Sequence, residues 1–166
     1  MGYLSDSTRP CFGWMNRAMS EHSGSQSKTV EMLLSSTLES VDAAEAEVSR
    51  IAEAIGLAEE ERHRLGMAVR ESMVNAVVHG NRYSSEKSVQ LRIAPEPDRL
   101  VVQITDEGEG FELSSVPDPL AQENLLRQSG RGILLIQAFV DEFRVRRRSG
   151  RNGTEVRLVK YVSRGT

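Results

Sequence analysis

One cysteine, Cys11, in 166 residues excludes an internal disulfide and any metal site built from several thiolates. It fits a reducing, intracellular setting. No apolar run approaches the roughly 20 residues of a membrane-spanning helix, and the start lacks the basic-then-apolar pattern of a secretion signal. Met1-Gly2 opens like a myristoylation signal, yet Asp6 stands where that signal needs Ser or Thr. Positive charge is not in excess either: 21 Lys and Arg stand against 24 Asp and Glu, for a net charge of −3 and a pI near 5.7. That balance argues against direct binding of nucleic acid. No Gly-Lys-Ser/Thr triplet closes a Walker loop, no dinucleotide fingerprint is present, and no segment repeats. What remains is an ordinary composition, 39% hydrophobic and 27% charged, at a length that suits one domain with a real core. The expected location is the cytoplasm, with no membrane contact.

Residues 1–27 mix Ser, Gly, Arg and scattered aromatics without period and read as a disordered leader, with Phe12, Trp14, Met15 and Met19 as a candidate docking helix. A domain over 28–162 and a short tail, 163–166, follow. Lys28–Ser35 reads as a first strand. Ser40 or Asp42 is the expected cap of a helix carrying Ala44, Val48, Ile51, Ala52 and Ile55 and ending at Gly56. A second helix is expected over Ala58–Val78, with Leu65, Ala68, Val69, Ser72, Met73, Ala76 and Val77 as its buried stripe. Val89, Leu91 and Ile93, then Leu100, Val102 and Ile104, alternate with polar residues as half-buried strands do, and Pro95-Glu-Pro97-Asp98 reads as the turn between them. The proline-bearing stretch after Phe111, running to Ser129, is long for a plain connection and reads as a lid. Gly132–Val140 reads as a short helix opening at a glycine pair, and Phe143–Arg148 and Thr154–Val162 as a final strand pair. The expected architecture is α+β: a two-layer sandwich with a mixed, mostly antiparallel sheet and helices on one face.

Within the second helix, Glu71, Asn75 and His79 recur at i, i+4 and i+8 in an otherwise apolar run. They fall along nearly one helix face, one turn apart. An amide oxygen such as that of Asn75 is a hard ligand suited to Mg²⁺ shared with substrate phosphates. A carboxylate beside it can orient or deprotonate an attacking hydroxyl or water. The plainer alternative leaves both residues on a solvated helix surface, and His79 then only favours the negative helix end. Asp106 closes a strand and precedes Gly108 and Gly110. Its carboxylate can accept a hydrogen bond from an exocyclic amine, or it can be a turn former ahead of a glycine loop. Gly130-Arg131-Gly132 before an apolar segment is either a phosphate cradle or a helix-entry turn. Arg144, Arg146, Arg147, Arg148 and Arg151 form a basic cluster, either a solvated hairpin face or a surface for an acidic partner.

The order and spacing of these segments resemble the GHKL ATPases of the Bergerat fold, and within them the anti-sigma factor serine/threonine kinases. Glu71-x-x-x-Asn75-Ala-x-x-His79-Gly80 resembles the N box of that family, and Asp106-x-Gly108-x-Gly110-Phe111 its first glycine box. Pro117-Asp118-Pro119-Leu120, Glu123–Leu126 and Ser129–Ile136 resemble its short lid and second glycine box, and Gly153-Thr154 its last strand motif. The resemblance implies that Asn75 holds Mg²⁺, that Glu71 is the base or water-orienting group, and that Asp106 reads adenine with the support of Thr154. Gly108 and Gly110 would shape the base pocket, Gly130, Arg131 and Gly132 would cradle phosphates, and His79 and Asn81 would stand at the pocket edge.

ATP and Mg²⁺ are therefore the implied cofactors. The implied activity is transfer of the γ-phosphoryl group to Ser or Thr of a STAS-domain anti-sigma antagonist, which competes with a sigma factor for the protein. A homodimer is compatible with the resemblance. Two features depart from the pattern: the leader is longer than the compact core requires, and Gln128 stands where relatives often carry proline. A non-catalytic module that sequesters a partner is the main alternative. A detached histidine-kinase domain is a weaker one, since His22 falls in the leader and His63 in the N-box helix rather than on a dimerisation helix pair.

Overall fold

A computed structural model describes residues 28–110 and 128–162. The expected leader, the lid motifs and Phe111, and the tail lie outside the described residues. Strand β1, Val30–Ser35, turns Val30, Met32 and Leu34 inward in strict alternation. Helix α1, Leu38–Ala54, follows at once. Its cap is Thr37, held extended at φ −130° and ψ 162°, so the helix starts before both expected caps. Ser40 is buried in its first turn, and Asp42 is drawn away by a 2.8 Å ion pair with Arg70. The other end matches expectation. Gly56 adopts φ +84°, Leu57 N–H donates to Ala52 O and Gly56 N–H to Glu53 O, each at 2.9 Å, and Leu57 is buried beneath them. Such a closure needs a left-handed residue, which glycine supplies without strain.

Helix α2 covers Glu59–Val74 with Glu59, Glu60 and Glu61 at its positive end. It does not run on as α-helix to Val78. Residues Asn75–Gly80 form a π-helical turn, closed by a 2.8 Å bond from Asn81 N–H to Ala76 O, five residues back. Wide turns of this kind cost regular hydrogen bonding and concentrate at functional sites. Strands β2 (Ser88–Pro95) and β3 (Arg99–Thr105) form a hairpin, joined by Glu96 N–H to Arg99 O at 2.8 Å. Helix α3 spans Gln128–Phe139, and β4 (Glu142–Arg147) and β5 (Thr154–Tyr161) close the sheet.

The sheet order is β1-β2-β3-β5-β4, and all pairings among the described residues are antiparallel, the limiting case of the mixed sheet expected. The register aligns Leu91 with Ile104, Ile93 with Val102, and Val102 with Leu158, so one face is continuously apolar. Beneath the helices this face joins Leu65, Val69 and Met73 of α2 in one core. Each such buried side chain is worth about 1.5–3 kcal/mol over its exposed state. The other face is largely polar, crossed by the row Glu31, Arg92, Gln103, Arg157 and Arg144. No helix among the described residues is long and apolar enough to cross a membrane.

At the end of β5 remote from the glycine loops, Lys160 is 8% exposed and pairs with Glu61 of α2 and, at 3.3 Å, with Asp141 ahead of β4. Removing one partner of a shielded pair leaves the other charges uncompensated. Lys160→Ala is expected to lower unfolding free energy in urea by about 2 kcal/mol, allowing for the partial exposure of both carboxylates. A loss within error would show the clamp to be ornamental.

Candidate functional site

Asp106 follows β3 at the carboxyl end of the strand and is 5% exposed. Its Oδ1 accepts Gly108 N–H at 2.8 Å and Thr154 N–H at 3.1 Å, and its own N–H donates to Thr154 O at 3.0 Å. The side chain is thereby fixed to the first residue of β5. Burial pushes the Asp106 carboxyl up from its ordinary value of 3.8, against the pull of those two N–H groups and of the Arg148 and Lys87 charges. Three backbones press on this one residue. A Cβ on Gly80 would lie 2.7 Å from the carboxylate, one on Gly108 would meet the Gly80 backbone, and one on Gly153 would meet Asp106 O. Gly108 therefore works by clearing Gly80. Gly110, at φ +82°, approaches Gly153 O at 2.7 Å by the same measure.

A cavity of about 380 Å³ opens over Asp106. Ile104, Ile136, Phe143 and Val156 make its walls apolar; Asp106 and Thr154 supply polarity, with Asn75, His79 and Gly110 also on its boundary. A second cavity of about 440 Å³ adjoins it, with Glu71, Arg131 and Gly132 on its walls. Asn75 and His79 line both and mark their junction. One compartment is thus mainly apolar with a buried acceptor. Its neighbour carries a carboxylate, an amide and a guanidinium. A flat base and a charged tail would divide between such compartments in that way.

Glu71, Asn75, His79, Asp106, Gly110, Arg131, Gly132 and Thr154 all border these two cavities. Glu71 and Asn75 are half-buried and His79 is exposed. The glycine pair does not open α3: Gly130, Arg131 and Gly132 all lie within the described helix Gln128–Phe139. Glycine inside a helix costs about 1 kcal/mol relative to alanine. Its return here is proximity, since a Cβ on Gly132 would collide with the Glu71 carboxylate and come within 2.8 Å of its Cδ. Gly132 lets α3 close on Glu71.

Asn81 is not at the pocket edge. It is 1% exposed, and its amide donates to Ser36 Oγ and Ser88 O at 2.9 Å each while its Oδ1 accepts Glu107 N–H at 2.8 Å. Both amide protons and the carbonyl oxygen are engaged, tying the ends of β1, β2 and β3 together. Sequence reasoning missed Ser72, Gly80, Arg82 and Glu109 on the first cavity. Gly80 was within reach, being part of the same motif as His79. Ile104 and Val156 were too, standing two residues from Asp106 and Thr154 on the same strand face.

Residues 34–160 match the family model of the histidine kinase-like ATPase domain. A serine-protein kinase RsbW of Bacillus subtilis is 29% identical over 140 residues, covering 81% of this chain and 86% of the relative. An anti-sigma F factor of Bacillus thuringiensis is 32% identical over 106 residues, covering 63% of this chain and 72% of the relative. A solved structure of the RsbU and RsbW domains of a Mycobacterium tuberculosis protein aligns with a TM-score of 0.61 at 20% identity, covering 84% of this chain and 34% of that longer one, a likeness of fold. The chain therefore belongs to the histidine kinase-like ATPase domain family, in its anti-sigma kinase branch. ATP is the nucleotide this family implies.

Two expectations follow. Asn81→Ala should cost about 2–4 kcal/mol in urea unfolding, because it orphans buried donors and acceptors on three strands. A loss confined to nucleotide binding would instead make Asn81 a ligand. For Asp106 the folded value is raised, so its contribution is fully present below the ordinary carboxylate range and is lost as pH rises through the raised pKa. Asp106→Asn should accordingly gain stability relative to the parent as pH climbs from 3.8 towards neutrality, read from paired unfolding curves. A difference independent of pH would refute this.

Proposed function

We propose that this protein is an ATP-dependent serine/threonine protein kinase and anti-sigma factor of a cytoplasmic partner-switching system. Its substrate is the Ser or Thr of a STAS-domain anti-sigma antagonist, and its other partner is a sigma factor. The observation that carries this reading is the pairing of compartments at Asn75 and His79, with the buried Asp106 carboxylate lining one and the Glu71 carboxylate the other. The relatives' names, serine-protein kinase and anti-sigma F factor, supply the class of reaction and of partner.

Adenine fits the apolar compartment, its exocyclic amine donating to Asp106, with Thr154 beside it. The phosphates then lie towards Asn75, Arg131 and Gly132, where a guanidinium and a glycine backbone favour close approach of an anion. Mg²⁺ would be held by Asn75, shielding phosphate charge. No group of three or more His, Cys, Asp or Glu that could hold a metal occurs among the described residues, in keeping with an ion that takes most of its oxygens from phosphate and water. Glu71 accepts the proton of the acceptor hydroxyl as its oxygen bonds to the γ-phosphorus. The bond from that phosphorus to the β-phosphate oxygen breaks and ADP leaves. Packing against Gly132 restricts the Glu71 side chain, the kind of preorganisation that positioning catalysis needs.

Calorimetry with MgATP and phosphotransfer from labelled ATP to an antagonist domain test this together. Glu71→Ala and the better-packed Glu71→Gln should abolish transfer and change ATP affinity by less than about threefold, because only the transition state needs the base. Asp106→Asn should weaken ATP binding at least about tenfold, because it puts an amide where the base needs an acceptor alone. Absence of heat with ATP and ADP would overturn the nucleotide site. Binding without transfer would leave a sequestering module.

A further inference from the structure

A third concavity, of about 460 Å³, lies on the sheet face turned away from the helices, and shares no lining residue with the two nucleotide compartments. Its floor is one row of the sheet, Leu33 of β1, Gln90 of β2 and Thr105 of β3, aligned by register. Its far wall is the β4–β5 turn, which contributes Arg148 and Arg151. Two properties of this surface are unexplained by folding. Leu33 is 74% exposed, more than any other large hydrophobic residue described, although its neighbours Met32 and Leu34 pack inward. The arginines differ as well. Arg146 pairs with Glu155 across the hairpin at 2.8 Å and Arg144 lies 3.9 Å from Glu142 on its own strand, whereas neither Arg148 nor Arg151 forms an ion pair with any described residue.

We propose that this cleft binds an extended acidic segment of a protein partner, with carboxylates against Arg148 and Arg151 and one aliphatic side chain over Leu33. Charge complementarity favours that occupant over the others. A second copy would bring the same surplus of positive charge to the interface, since each copy's lining carries two arginines against one carboxylate. Nucleic acid would find no aromatic platform in the lining and a chain of net charge −3 around it. The one carboxylate in the lining, Glu107, accepts a hydrogen bond from Ser88 Oγ at 2.8 Å and keeps its charge, so the lining holds two arginines against one carboxylate. The site is separate from the nucleotide compartments, so it extends the proposed function without depending on it.

Fluorescence anisotropy of the full chain tests the proposal with three labelled probes: a peptide of Asp and Glu around a central leucine pair, its Lys counterpart, and a single-stranded DNA of equal charge to the acidic peptide. Saturable, salt-sensitive binding of the acidic peptide alone is expected. Arg151→Glu, in an exposed turn, should weaken it roughly tenfold, as reversal of an interfacial charge does. Leu33→Ser should also weaken it several-fold, with the salt dependence retained, and both variants should keep the parental melting temperature and ATP affinity. No saturable binding, binding indifferent to both substitutions, or equal binding of the DNA would overturn it. Concentration-dependent dimerisation that Arg151→Glu abolishes would do so too, assigning the face to a second copy.

Discussion

A single buried carboxylate organises this molecule. Asp106 is hidden from water, and burying a charge without partners is prohibitive. The chain meets that demand chiefly with backbone: Gly108 N–H and Thr154 N–H converge on Oδ1. Bringing three main-chain segments so close leaves no room for side chains, so Gly80, Gly108 and Gly153 follow from Asp106 as steric corollaries. The last turn of the N-box helix, the loop after β3 and the start of β5 are thereby locked into one unit. That unit is the wall against which a base can lie.

The compensation is incomplete by design of the site. Desolvation still outweighs the two N–H groups and the nearby Arg148 and Lys87 charges, so the carboxyl stays above its ordinary range. A group whose folded environment resists its ionised form lowers stability near neutral pH. It also presents a poorly solvated acceptor, for which a donor on a ligand has an outsized value. The neighbouring compartment shows the same exchange of stability for geometry. Gly132 weakens α3 so that Glu71 can lie against its backbone, and the π-helical turn at Asn75–Gly80 gives up regular hydrogen bonds next to the residues the site uses. Apolar packing of α2 on the sheet, through residues such as Leu65 and Met73, offsets these local losses.

The fold was readable from the chain wherever a period was enforced by burial. Val89, Leu91 and Ile93 had to alternate because one face of β2 is core and the other is not, and the same holds for Leu100, Val102 and Ile104. Glu71, Asn75 and His79 were conspicuous because polar groups at helical spacing interrupt an apolar stripe. Features set by long-range contact left weaker traces. Asp42 looked like a cap and is an ion-pair partner of Arg70. The glycines of α3 looked like a helix entrance, yet the reason for Gly132 is Glu71, some sixty residues earlier. The placement of β5 between β3 and β4 depends on pairing across the whole chain, which no local pattern encodes.

Asn81 shows why a motif cannot assign roles by proximity. It follows His79 and Gly80 directly, and as a polar residue after a helix it has the chemistry of a ligand-binding group. Its amide nevertheless points the other way, into the seam where β1, β2 and β3 end. The two readings impose different demands. A ligand-facing amide must be reachable, whereas Asn81 is 1% exposed, with both protons and one lone pair of its oxygen committed to the protein. It therefore acts one step removed from the cavity: it fixes Glu107 N–H, next to Asp106 at the exit of β3. The residue so fixed stands between Asp106 and Gly108, whose N–H, with that of Thr154, holds the carboxylate in place.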